Sequence, residues 1–376
     1  MKILMQGRIG LLEAAGGDRI QVENTAKELR KLGVKVDIST DIKIDPSKYD
    51  LVHIFQLDWT TETHFMAKNA KKYQKPLVFS PIHHKVEEVK RFDDEHVFDL
   101  RRLSKVLFQE QHSRDTFKNV YRSITNSKKI APTIYSVFKG LKNMHIETLS
   151  LSDRVLVQTK LEAQDLKKTY GVDINWDKVP NGVSDKFLYV KDYKNPLPVK
   201  DYIFCVGRVE PRKNQLNVIK AVKNFRDDSN QDAKLVIVGK KNTLTHPEYT
   251  HRFNMFLKKY PWVTYIESVP YEKIPAYFSH AKVCVSASWF ETTGLTLLEA
   301  LFCGSNAVAS SPRAKEILGN YASYCKPWDV GSIEKAIGEQ FYAARPVLDE
   351  DMRQEYTWEN AAKKTFRVYK ELLGKK

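Results

Sequence analysis

Residues 282–304 read KVCVSASWFETTGLTLLEALFCG, and the rest of the chain is organised around them. Val283, Cys284, Val285 and Ala287 make a short apolar run between polar residues, the pattern of a strand buried on both faces of a parallel sheet. The loop Ser288 to Thr293 carries Glu291. From Gly294 onward Leu297, Leu298, Leu301 and Phe302 recur at helical spacing, with Glu299 among them. One carboxylate thus sits at the end of a strand and the other inside the following helix, and both can face the crevice where open α/β sheets bind ligands. An ionised carboxylate only accepts hydrogen bonds and can take two from vicinal hydroxyls, so the pair suits a hydroxyl-rich ligand. The plain alternative is a solvated loop glutamate and an ordinary helix glutamate.

Upstream, an apolar strand Tyr202 to Val206 ends in GRVEPRKN, residues 207–214. Gly207 frees the backbone at the strand's carboxyl edge. Arg208 brings a planar fork and Lys213 a point charge, a combination suited to a diphosphate. Around these two stretches strands alternate with helices: helix Gln215 to Phe225, strand Lys234 to Val238, helix Pro247 to Tyr260, strand Val263 to Ile266, helix Tyr271 to Phe278 and strand Ala307 to Ser310. That alternation predicts a parallel, doubly wound sheet.

The first half repeats the pattern, with strands at Lys2 to Gln6, Val34 to Ser39, Leu51 to Phe55, Leu77 to Phe79 and Arg154 to Gln158. A loop from Gly7 to Gly17 precedes a helix from about Asp18 to Leu32, with Asp18 as its N-cap and Gly33 as its stop. Gly16 and Gly17 would let backbone N–H groups face a phosphate there. Residues 85–149 interrupt the alternation and read as helical, with Leu100, Leu103, Leu107, Phe117, Tyr121 and Ile124 on one face.

At 376 residues the chain suggests two domains, and 42% hydrophobic with 28% charged residues is the composition of a globular protein. The four cysteines are far apart with no C-x-x-C spacing, which predicts reduced core residues in a cytoplasmic protein. MKILMQG runs straight into a strand without a signal-like apolar stretch, and no segment approaches the roughly 20 apolar residues of a spanning helix. The net charge of +15 implies an anionic partner. Between Arg101 and Ile146 ten basic residues (101, 102, 105, 114, 118, 122, 128, 129, 139 and 142) face only Glu110 and Asp115, a net of +8. Within that region Ile130, Ile134, Val137, Phe138, Leu141 and Met144 form a stripe flanked by Lys128, Lys129, Lys139 and Lys142. A basic amphipathic helix over about 128–144 suits an anionic membrane surface, and internal packing is the other reading. Nucleic acid is the poorer partner, since the basic residues accompany an apolar stripe rather than exposed aromatics.

With Glu291 and Glu299 added to the 207–214 loop, the chain resembles the retaining glycosyltransferases of family four, which have the GT-B fold. VGRVEPRKN is similar to their diphosphate-binding loop and ETTGLTLLE to their E-x7-E element. DRVLVQTKLEAQDLKKTYGV with VPNGV resembles the segment closing their first domain, and GGDRIQVENTAKELRKLG their N-terminal glycine loop and helix. The resemblance covers nearly everything outside residues 85–150. It departs in Thr292-Thr293-Gly294, where the family has Gly-Phe-Gly, and in Pro312-Arg313-Ala314, where it often has a glycine pair.

The resemblance implies an α/β protein with two Rossmann-like, doubly wound parallel-sheet domains facing a cleft. These would be an acceptor-side domain, 1–185, carrying a basic helical insert at about 85–149; a nucleotide-sugar domain, 186–355; and a C-terminal helix, 356–376, packing back on the first. It implies a hexosyltransferase-type enzyme with a nucleotide diphosphate-sugar as co-substrate, no separate cofactor, and a lipid-linked or saccharide acceptor. Arg208 and Lys213 would neutralise the diphosphate, Glu291 would accept from sugar hydroxyls and Glu299 from the ribose. His83, in SPIHH, would lie near the reacting sugar, with His84 the fallback. Gly17, Asn181, Gly207, Val269, Thr293, Gly294 and Leu295 complete the implied binding set. No metal site is expected: the one Asp-x-Asp, Asp349 to Asp351, reads as a helix N-terminus. Alternatives are a sugar-phosphate epimerase or phosphorylase of the same fold, or a basic nucleic-acid-binding protein in which the sheet motifs are vestigial.

Overall fold

The structure, a computed structural model, describes residues 1–13, 16–96, 110–116, 130–188 and 193–374, with the side chains of 130–134 outside that description. Two compact units emerge, Met1–Gly182 with Trp358–Lys376, and Val183–Thr357.

In the first unit, strands β1 (Lys2–Gln6), β2 (Lys35–Ser39), β3 (Leu51–Phe55), β4 (Leu77–Ser80), β5 (Arg154–Val157) and β6 (Trp176–Lys178) form one sheet in the order β2-β1-β3-β4-β5-β6. In the second, β7 (Tyr202–Val206), β8 (Leu235–Val238), β9 (Val263–Ile266), β10 (Ala281–Ser286), β11 (Asn306–Ala309) and β12 (Ala322–Tyr324) run in the order β12-β11-β10-β7-β8-β9. Every named pairing is parallel. The central strands are buried on both faces, β3 and β4 along their whole length, which is why they read as unbroken apolar runs. The two topologies are not copies of each other. Strand order reverses between β1 and β3 in the first unit and between β7 and β10 in the second, and such reversals are where doubly wound sheets open a crevice at the strands' carboxyl ends.

The helix Trp358–Leu372 belongs to the first unit and packs on the helix Gly17–Lys31. It also reaches the sheet: Tyr369 Oη lies 2.6 Å from His53 Nδ1 on β3, while His53 Nε2 lies 2.9 Å from Ser80 Oγ on β4. Burial pushes the His53 imidazole down to about 3, so it is neutral and both ring nitrogens are occupied by neutral partners.

Several local readings change. The first helix begins at Gly17 with Gly16 as its N-cap, and Asp18 does not cap it because its carboxylate takes Arg8 Nε at 2.7 Å. The stripe over 128–144 is not the face of one helix. Gly140, at φ +77°, separates a helix Ile130–Lys139 from a helix Leu141–Leu151. The left-handed glycine turns the second helix inward, so Leu141 and Met144 are core residues while Val137 and Phe138 stay 50% and 87% exposed. The expected helical face from Leu100 to Ile124, and Lys128 and Lys129, lie outside the described residues. Strands β6 and β12, of three residues each, and the helix Val330–Tyr342 complete the sheets and their cover without having been anticipated. Among the described residues no helix is long and apolar enough to cross a membrane.

Beyond their carboxyl ends β7 and β8 converge. A Cβ at Gly239 would lie 2.0 Å from the Gly207 carbonyl oxygen, and neither backbone can yield, since Gly207 N donates to Val238 O and Val209 N to Lys240 O, each at 2.9 Å. Gly239→Ala is therefore expected to lower stability by about 3 kcal/mol or more. Gly33→Ala, also at positive φ but with open space around it, should lose only about 1 kcal/mol. Urea unfolding of the two variants beside wild type checks the contrast.

Candidate active site

The loop after β7 and the loop after β10 meet at the second unit's strand reversal. Asn214 fastens them. It takes a left-handed φ of +63°, tolerated by asparagine, and its buried amide donates to Ala287 O at 3.0 Å and Pro327 O at 2.7 Å. Trp289 N donates to Arg212 O at 2.9 Å across the same junction. These bonds bring Lys213 Nζ into a direct ion pair with Glu291 Oε1, and Arg212 Nη1 lies 4.0 Å from Glu291 Oε2. Arg212 also sits over the Phe290 ring and 3.3 Å from Glu210. Burial raises the affinity of Glu291 for a proton, but the Lys213 and Arg212 cations outweigh it and hold the carboxyl at about 2. Arg208 stands apart, with its side chain mostly in solvent and Nη2 3.7 Å from Glu210.

Glu299 has the opposite environment. It is buried in the helix Leu295–Phe302, which starts after Gly294 at φ +66°. Desolvation pushes its carboxyl up to about 7, against the lowering effects of a hydrogen bond from Tyr271 Oη at 2.5 Å and of the Lys186 cation. Thr293 is buried, Leu295 opens the helix, and Val269 packs against the same core. Arg313, after β11, is also buried.

In the first unit His83 follows β4 directly after Ile82, a β-branched residue held at φ +45°. The strain is supported by Glu162, a buried carboxylate that accepts from His83 N and Gln158 N, both at 2.8 Å. Asp58, after β3, accepts from His84 Nδ1 at 2.6 Å and sits 3.4 Å from His83 Nδ1. Partial desolvation works against the Asp58 charge, yet hydrogen bonds and charge from the two imidazoles hold its carboxyl well below the usual range. Gly17 opens its helix with free space where a Cβ would stand, and Asn181 is buried.

The structure thus gathers Gly207, Lys213 and Glu291 around one sheet edge, with Glu299 in the helix that follows. His83, Gly17 and Asn181 belong to the other unit. Sequence reasoning passed over Asp58, Glu162, Arg212, Tyr271 and Lys186. Only Glu162 carried a local signal, since Thr159-Lys-Leu-Glu162 is a capping box and Thr159 Oγ1 does accept from Glu162 N at 3.1 Å. Among the described residues no group of three or more His, Cys, Asp or Glu could hold a metal ion. Asp349 caps the helix Glu350–Glu355, accepting from Met352 N at 2.7 Å.

Comparison with known proteins bears on the family and the fold. Residues 192–342 match the family model of the glycosyl transferases group 1. The chain is 23% identical to O-antigen chain mannosyltransferase B of Escherichia coli, over 69% of this chain and 66% of that protein, so it matches a little under two thirds of that relative's length. Among solved structures it is similar to sucrose-phosphate synthase from Thermosynechococcus elongatus, with a TM-score of 0.74 at 18% identity over 100% of this chain and 99% of the other. An Anabaena protein solved in complex with UDP gives a TM-score of 0.63 at 13% identity over 99% and 96% of the two chains.

The two carboxylates have opposite linkage to pH. Glu291, depressed to about 2, adds stability above its ordinary value of 4.5 that is lost as pH falls toward 2. Glu299, raised from 4.5 to about 7, favours folding below pH 4.5, and that contribution disappears as pH rises through 7. Between pH 4.5 and 8 wild type should therefore lose about 3 kcal/mol that Glu299→Gln retains. Denaturant unfolding of both proteins across that window measures the difference, and parallel curves would contradict it.

Proposed function

With residues 192–342 belonging to the glycosyl transferases group 1 and the whole chain having the GT-B fold, we propose that this glycosyltransferase moves a sugar from a nucleotide diphosphate-sugar to an acceptor hydroxyl, with retention and without a divalent metal. The observation that carries this reading is the Lys213–Glu291 ion pair at the strand reversal, where a cation for phosphate and an acceptor for hydroxyls share one crevice. Lys213 and Arg208 neutralise the departing diphosphate, supplying the positive charge that a metal ion would otherwise bring. Glu291 turns to the sugar hydroxyls once phosphate competes for Lys213, and Glu299 accepts from the ribose. The leaving phosphate takes the acceptor's proton on the face it vacates, so the new bond forms on that same face. His83, beside Asp58 in the first unit, is the histidine we assign to the reacting sugar.

The Anabaena neighbour's UDP makes a uridine diphosphate-sugar the first donor to test. The name of the Escherichia coli relative supports a role in cell-surface polysaccharide or glycolipid synthesis, and the acceptor we propose is one presented at a membrane. Peripheral docking is supported by Val137 and Phe138, the exposed apolar pair beside Lys139 and Lys142.

Two experiments check this reading. Nucleotide-sugars are screened for release of free nucleotide in excess chelator. Lys213→Ala and Arg208→Ala should each lower turnover about 10²-fold or more, and near-normal turnover in both would remove the donor assignment. For docking, wild type should sediment with anionic liposomes at low salt and be released at high salt, whereas Val137→Asp with Phe138→Asp should stay in the supernatant. Wild type remaining in the supernatant would favour a soluble saccharide acceptor.

A further inference from the structure

Tyr271 lies in the single turn Tyr271–Lys273 that leads into the helix Ile274–His280. The residue is 37% exposed, yet its hydroxyl reaches inward to buried Glu299. The short segment that opens the second unit grips the ring. Lys186 Nζ stands 3.9 Å from the ring centre, and the Phe187 ring packs on it at 5.4 Å between centroids. A buried carboxylate without such a donor would keep its proton at neutral pH, and a protonated carboxyl has lost part of its capacity to accept from a diol.

We propose that Tyr271 is a positioning residue for the nucleotide: its hydroxyl donates to Glu299 Oε1 and so favours the carboxylate form, leaving Oε2 to receive the ribose hydroxyls. The proposal rests on the reading of Glu299 as the ribose acceptor of a nucleotide-sugar site. Lys186 assists, since its charge favours the same ionised state while its ammonium steadies the ring that carries the hydroxyl. Among the described residues the other titratable groups facing Glu299 are the thiols of Cys284, on β10, and Cys303, at the end of its own helix. Burial pushes Cys284 well above its ordinary value and Cys303 to about 12, and burial likewise raises the Tyr271 hydroxyl, so all three stay neutral below pH 9. Glu299 is then the group of this cluster that changes charge near neutrality.

The test is calorimetric titration of wild type and Tyr271→Phe with UDP, and with GDP and ADP if UDP does not bind, from pH 6 to 9. Inorganic pyrophosphate is titrated in parallel, because it engages the Lys213 side of the site without a ribose. Wild-type nucleotide affinity should weaken on the acid side with a midpoint near 7. In Tyr271→Phe the midpoint should move up by about one pH unit, giving about fivefold weaker binding at pH 7 and convergence with wild type at pH 9. The nucleotide's own phosphate titration is common to both proteins, and pyrophosphate binding should be the same in both at every pH. Loss of nucleotide affinity at all pH values, tighter binding by the variant at pH 9, or no change would each overturn the proposal and leave the functional reading standing. Failure of wild type to bind any nucleoside diphosphate would overturn both.

Discussion

The ion pair between Lys213 and Glu291 is the contact on which the chemistry proposed for the second unit depends. Lys213 follows β7 and Glu291 follows β10, and between these strands the sheet's winding changes direction, so the helices after them leave on opposite sides and the crevice stays open. Two loops that diverge need something to hold their tips together. Asn214 supplies it through the backbone, and the ion pair supplies it through charge. Each charge also prepares the other: the cation keeps the half-buried carboxylate ionised, and the carboxylate neutralises a cation that would otherwise sit partly desolvated with no counterion.

Glu291 and Glu299 are eight positions apart and have opposite proton affinities, the first held at about 2 and the second lifted to about 7. The difference lies in what each meets. Two cations face Glu291, whereas Glu299 has one tyrosine hydroxyl and a cation acting across that tyrosine's ring. An ionised Glu299 is therefore costly to the fold in the ligand-free protein, the pattern expected where a binding group is kept ready at the expense of stability. Ile82 shows the same economy in the first unit, where an unfavourable backbone angle is kept in place by the Glu162 carboxylate beside His83.

Much of this was legible in the sequence because it is local. The apolar run at Val283 to Ala287, the basic loop after Val206 and the helical spacing from Leu297 each announce themselves within a few residues. What escaped has one physical origin, the dependence on residues distant in the chain. Tyr271 and Lys186 acquire their roles by meeting Glu299 from 28 positions before it and from the start of the unit. Asp58 does so by meeting histidines 25 and 26 positions on. Strands β6 and β12 are three-residue edge strands with polar members, so they carry neither alternation nor an apolar run. The stripe over 128–144 failed for a different reason. Gly140 was visible, but periodicity read straight through it, and a single left-handed residue was enough to send Leu141 and Phe138 to opposite fates. The different winding of the two sheets has no local signature either, since both arise from the same strand-helix alternation.

The return of the helix Trp358–Leu372 to the first unit has a consequence for the order in which the protein is made. The second unit is one uninterrupted span of sequence, so all its strands have been synthesised before this helix is. The first unit has most of its chain earlier, yet His53 must wait for Tyr369, some three hundred residues downstream, before its Nδ1 finds a partner. The unit that begins first is thus the later of the two to be completed, and until this helix emerges the surface that receives it is a stretch of open core in need of shelter.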